Sequence, residues 1–148
     1  IGIGYTLPFK VVGAPWIDGE LFAKKLNEQK LQGVNFFPFH YRPFYGPLKG
    51  ENCQGVLLQI TNSQTYQPLS VQYLLLGVLK SLYPNEIKEK LAKVSDSKKR
   101  LFCKANGNEE IYKLLSSEKY IAWKMIGFQK EEREAFKESR KKYLIAGY

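Results

Sequence analysis

The chain has 148 residues, of which 44% are hydrophobic, 25% charged and 14% aromatic, enough for one globular domain and too rich in large side chains for a disordered segment. No run of about 18 apolar residues occurs, which excludes a membrane-spanning helix, and the opening residues lack the basic and apolar regions of a signal peptide. The formal charge of +9 would suit anionic partners, but residues 1–84 carry seven basic and four acidic groups and residues 85–148 sixteen and ten, so the excess is interleaved with Glu. Runs such as Lys98-Lys99-Arg100 and Arg140-Lys141-Lys142 read as solvated faces, and no nucleic-acid partner is expected.

In place of an initiating Met the chain opens on Ile1-Gly2-Ile3-Gly4, so a piece of a longer protein is expected. Residues 1–16 read as extended, with a short strand at Pro8–Val12 that Gly13-Ala14-Pro15-Trp16 breaks. Asp18 is placed to cap a helix over 19–30, with Leu21, Phe22 and Leu26 on its apolar stripe and Lys24, Lys25, Asn27 and Glu28 outward. Val34 to Tyr45 is aromatic and extended, with Phe37, Phe39 and Tyr41 on one face and Phe36, His40 and Arg42 on the other. Pro38 and Pro43 cannot donate to a ladder, which predicts an edge or bulged strand.

After a loop at 46–52, Gly55 to Thr61 is the clearest strand, Val56, Leu58 and Ile60 alternating with Leu57, Gln59 and Thr61. Pro68 opens a helix through Tyr83 with too many apolar positions for one narrow stripe, so it is expected to be mostly buried. Helices are predicted near 85–93, 108–116 and 129–142, and a short strand at Arg100–Lys104. No repeat appears. The elements predict an α/β (α+β) fold: a small mixed sheet with helices packed on it.

His40 is the only imidazole, so a nucleophile and base pair would have to join it to Cys53 or a Ser, and no flanking signature supports that. Asp18 and Glu20 are explained by capping and the helix dipole rather than by glycoside hydrolysis. Gly2-x-Gly4 lacks the preceding strand and third glycine of a dinucleotide fingerprint. One His and two Cys make a poor zinc set, so no metal or cofactor is expected; Cys53 and Cys103 read as small core residues, and a bridge between them stays open. His40 and Arg42, and Gln59, Thr61 and Asn62, could line a sugar site with aromatic walls. An ordinary strand surface ending in a turn has the same pattern, and the residues alone leave both readings open.

Pro8-Phe9-x3-Gly13-Ala14-Pro15-Trp16-Ile17, Gly33-Val34-x-Phe36-x-Pro38 and Cys53-x-Gly55-Val56-x-Leu58-x-Ile60-Thr61 together resemble the C-terminal domain of the NamZ-type exo-β-N-acetylmuramidases. So do the Tyr83-Pro84 helix end and the closing Phe136-x3-Arg140-x2-Tyr143-Leu144-Ile145. The resemblance implies the C-terminal domain of a two-domain protein, residues 1–148 forming a single substrate-cleft domain. An N-terminal Rossmann-like domain outside this chain would supply the catalytic carboxylate. It implies a periplasmic or exported enzyme of cell-wall recycling that releases N-acetylmuramic acid from peptidoglycan fragments, with no complete catalytic apparatus here. Its partners would be a peptidoglycan-derived saccharide and its own N-terminal domain.

Two departures are visible. Where the family carries an acidic-Gly-Arg-Gly-Thr motif this chain has Ile1-Gly2-Ile3-Gly4-Tyr5-Thr6, and a strand that commonly ends Thr-Asp ends Thr61-Asn62. The expected sugar contacts are Tyr5, Thr6, Trp16, His40, Arg42, Gln59, Thr61 and Asn62, with Trp16 stacking on a ring and Arg42 pairing with the lactyl carboxylate. The alternative expectation is a non-catalytic binding or interaction domain, for an anionic cell-wall polymer or a protein partner.

Overall fold

Residues 2–145 are described in the computed structural model; the departure at Ile1 lies outside them. Strand β1 (Val11–Ala14), helix α1 (Gly19–Asn27) and strands β2 (Val34–Tyr41) and β3 (Cys53–Ile60) come first. Helices α2 (Pro68–Leu82), α3 (Pro84–Ala92), α4 (Asp96–Asn106), α5 (Glu110–Ser117), α6 (Ala122–Gly127) and α7 (Lys130–Arg140) follow. The fold is the expected α+β arrangement, and among the described residues no helix is long and apolar enough to cross a membrane.

The sheet has three strands in the order β1-β3-β2, and both pairings are antiparallel. It is therefore not mixed, for a topological reason. β1 and β2 run the same way and are joined through α1, but β3 returns from β2 as a hairpin and inserts between them, so the parallel pair never touches. β1 starts later than the pattern suggests: Lys10 N–H closes a turn onto Leu7 O at 3.3 Å, and the strand runs on through Gly13 and Ala14. Arg100–Lys104 is helical, inside α4. Ser95 caps that helix at its start, Gly107 ends it at φ +73, and Cys103 is its one buried residue, a spacing too sparse to distinguish helix from strand.

Strand alternation gives the sheet two differently covered faces. Val34, Phe36 and Val56 join Phe22, Ala23 and Leu26 of α1 and Val71, Leu74, Leu75, Val78 and Leu79 of α2 in the main core. On the other face Val11, Tyr41 and Cys53 pack with Tyr5, Leu7, Phe39, Leu48 and Leu57, so the opening segment lies across the sheet. A further core gathers Tyr73 of α2 with Ile111, Leu115, Ile121 and Met125.

β2 is an edge strand, as Pro38 predicts. Its open side is closed at one point by Asn27, which turns back from the end of α1: Nδ2 donates to Phe36 O at 2.7 Å, and Phe36 N–H donates to Oδ1 at 3.0 Å. A side-chain amide thus does what a fourth strand would do. Since Phe36 points its backbone polar groups outward, Pro38, two residues on, does the same. The ring therefore removes no bond to β3, and the ladder runs through Pro38 without a bulge.

The helical half is keyed to α2 by a glycine. A Cβ on Gly77 would lie 2.5 Å from the Cα of Ala122, the first residue of α6. In an open helix Gly→Ala stabilises by about 1 kcal/mol. Here Gly77→Ala is expected to destabilise by about 1–3 kcal/mol through overpacking, read as a lower urea midpoint. An unchanged or raised midpoint would show that α6 does not press on α2 at this position.

Candidate functional site

Four of the predicted contacts, Tyr5, Thr6, His40 and Arg42, lie around the tip of the β2–β3 hairpin. Gly4 makes this possible: at φ +88 its carbonyl accepts from Phe44 N–H at 2.8 Å, and a Cβ there would fall 1.9 Å from Tyr45 O. The opening segment is thereby fastened to the tip. Tyr5 then lies half-buried against Tyr41 and Phe39, with ring centroids at 5.2 and 6.0 Å, while Thr6 is exposed. Arg42 is exposed, and its Nε donates to Gly50 O at 2.6 Å, so it clasps the hairpin loop. His40 is exposed, on the face of β2 opposite Tyr41.

Gln59, Thr61 and Asn62 sit at the far end of β3. His40 pairs with Gln54, and the five residues from there to Gln59 span about 17 Å at strand rise. One pocket therefore does not bring His40 and Gln59 together. Thr61 N–H donates to Gly33 O at 3.0 Å, continuing the pairing with the β2 side. Asn62 makes the turn into α2, its Oδ1 accepting from Gln64 N–H at 2.9 Å and its carbonyl from Tyr66 N–H at 3.0 Å. Trp16 lies elsewhere, half-buried at the main core, with Tyr83 edge-on at 5.2 Å and Lys90 Nζ 5.7 Å from its ring centroid. Tyr83 in turn accepts from Asp18 N–H at 2.8 Å, which ties the start of α1 to the end of α2.

A cavity of about 290 Å³ opens at the end of β3, lined by Phe9, Lys10, Leu58, Gln59, Ile60 and Tyr66. Of the predicted contacts Gln59 lines it, and Thr61 and Asn62 follow directly along the chain. Phe9, Lys10 and Tyr66 were not foreseen as site residues. The available signal was Pro8-Phe9, which recurs in the resemblance, but it reads as strand, whereas Phe9 is 80% exposed at φ +62. The lining carries one cation, Lys10, and no carboxylate. It can bind a neutral or anionic polar group beside aromatic rings, but its lining offers no acid and base pair.

A Cys-His centre does not form. Cys53 faces the Tyr41 side of the sheet and pairs with Tyr41, while His40 faces the other side. Cys53 and Cys103 are both free and buried. Burial pushes the Cys53 thiol and the Tyr41 phenol up, the thiol adding to the effect on Tyr41. Each group stays protonated in the fold at a pH where the unfolded chain ionises, so stability is full below the ordinary thiol value of 9.0 and falls as pH rises past it. The expected outcome is a stability that declines as pH rises past 9.0. Urea melts from pH 8 to 11 measure it, and a flat profile would show that these groups are hydrated.

The comparisons with known proteins bear out the family resemblance. A profile of the family described as "Exo-beta-N-acetylmuramidase NamZ, C-terminal" matches residues 1–145. Peptidoglycan beta-N-acetylmuramidase NamZ of Bacillus subtilis (strain 168) is 28% identical over 144 residues, 97% of this chain and 33% of that protein. The crystal structure of a DUF1343 family protein from Bacteroides fragilis NCTC 9343 superposes with a TM-score of 0.84 at 28% identity, covering 97% of this chain and 37% of that one. The chain thus spans about a third of the length of these relatives.

Proposed function

The chain belongs to the family of NamZ C-terminal domains, and from that premise we propose that it forms one wall of the saccharide cleft in a two-domain glycoside hydrolase. The substrate is a peptidoglycan-derived saccharide ending in N-acetylmuramic acid, and the site of action is the periplasm or cell exterior, in cell-wall recycling. The observation that carries this reading is the cavity at the end of β3. Its walls come from Phe9, Leu58 and Ile60, within the stretches that carry the resemblance, and from Tyr66. Aromatic walls with a few polar groups suit a pyranose. Glycoside hydrolysis needs two carboxylates flanking the bond, and none lines this cavity. In this reading, as the family resemblance implies, the acid comes from an N-terminal Rossmann-like domain outside this chain.

Within the cleft wall, Gln59, Thr61 and Asn62 act beside the cavity. Tyr5, Thr6, His40 and Arg42 act at the hairpin tip, on a sugar unit other than the one at the cavity, where Arg42 meets the lactyl carboxylate while holding its loop. Trp16 is the weakest contact, since Tyr83 already packs against its ring in a T-shaped pair and Lys90 lies over it. The alternative of an anionic-polymer surface on 85–148 is less well supported. Lys113, Lys137 and Lys141 each pair with a glutamate three residues away, Glu110, Glu134 and Glu138, which mixes the signs on those faces.

The test is hydrolysis of a chromogenic N-acetylmuramic acid glycoside by the longer protein and by residues 1–148 alone. Turnover by the longer protein only is expected. Turnover by the 148-residue chain would place a catalytic pair within it, and silence from both would remove the muramidase reading. Salt-sensitive binding of an anionic cell-wall polymer in the absence of turnover would favour the alternative.

A further inference from the structure

One residue lining the cavity, Ile60, is left without a partner on the β1 side of its strand. On β3 the odd-numbered residues bond toward β2, a phase that Thr61 N–H to Gly33 O continues, and the even-numbered residues face β1, as Leu58 N–H to Lys10 O at 2.7 Å shows. Ile60 falls in the second phase. By the β1–β3 register the residue opposite would be Pro8, which has no N–H and lies in a turn. Among the described hydrogen bonds none takes up the N–H or C=O of Ile60. The open position is flanked by Phe9 and Tyr66, with Lys10 and Gln59 as the polar side chains of the same cavity.

Phe9 is the second observation. A bulky residue at φ +62 is strained, and an 80% exposed ring recovers little through burial. Strain held where packing does not require it is characteristic of binding sites.

We propose that this cavity holds the acetamido group of a 2-N-acetylated sugar. The proposal rests on the saccharide reading above and assigns that reading's specificity to named atoms. The acetamido N–H donates to Ile60 O, and the methyl lies against Phe9 and Tyr66. A trans amide points its carbonyl the opposite way, so that oxygen accepts from Lys10 Nζ or the Gln59 amide. Lys10 also sets the selectivity. A de-acetylated sugar would bring an ammonium beside a lysine in a cavity with no carboxylate, and a plain hydroxyl would leave the methyl-sized space unfilled.

The experiment titrates methyl N-acetyl-β-glucosaminide, methyl β-glucosaminide and methyl β-glucoside into the ¹⁵N-labelled 148-residue chain, following the Ile60, Lys10 and Gln59 amides. The N-acetyl sugar is expected to move Ile60 with at least tenfold higher affinity than either of the others. In Phe9→Gly, glycine accepts the positive φ, so the melting temperature should hold or rise while affinity for the N-acetyl sugar falls about tenfold. Equal response to all three sugars, or full affinity in Phe9→Gly, overturns the proposal. An Ile60 response in a protein whose longer form hydrolyses no muramic acid glycoside upholds the pocket and removes only the muramidase reading. Hydrolysis with a silent Ile60 does the reverse.

Discussion

Helix α2 is apolar around most of its circumference, and the remaining elements are arranged to cover it. Val71, Leu74, Leu75, Val78 and Leu79 face the sheet and α1, while Tyr73 and Gly77 face the later helices. Each fully buried side chain of this size is worth about 1.5–3 kcal/mol, so neither side of α2 can be left to solvent. The polar ties follow the same logic. Tyr73 Oη donates to Asn106 Oδ1 at 2.8 Å, and Lys80 Nζ donates to Leu115 O at 2.5 Å, fixing α4 and α5 on the outer side. Burial pushes the Lys80 ammonium down and the Tyr73 phenol up, the expected result of drawing polar tips toward a core.

With one face of the sheet held by α1 and α2, the opening segment has only the other face to use. Tyr41 fixes it there, its ring beside Tyr5 and its hydroxyl donating to Gly13 O at 3.2 Å. β1 begins only where that segment leaves its turn at Lys10, which shortens β1 relative to β3. The cavity at the end of β3 is a consequence of that mismatch: four residues on β1 face eight on β3. The site is thus made by a strand that stops early, with Leu58 and Tyr66 of its lining also packed against the main core.

The main elements were legible because their signals are local. Asp18 before an apolar stripe gives α1, and its Oδ1 does accept from Leu21 N–H at 2.9 Å. Pro68 gives the start of α2, and alternation gives β3. The misread segments had signals that two structures share. Leu101 and Cys103 alternate as a strand would, yet the Ser95 and Gly107 caps make the segment a helix. Asn27 looked solvent-facing, and only the strand passing beside α1 gives its amide a partner. The candidate site was harder still. Parity along a strand predicts which residues share a face, but it does not say that His40 and Gln59 stand at opposite ends of a hairpin. The positive φ of Phe9 is set by the turn around it, and nothing in Pro8-Phe9-Lys10 announces it.

The bracket between Asn27 and Phe36 bears on how such a molecule behaves at high concentration. β2 is eight residues long and lies at the margin of its sheet, the geometry from which strands of separate molecules add to one another and grow into fibres. An incoming strand needs an unbroken series of partners. Along β2 it meets a carboxamide already bonded at Phe36 and a pyrrolidine ring at Pro38, so the longest exposed run is cut near its middle. Resistance to chain-on-chain polymerisation therefore depends on two side groups that stand outside the main core cluster.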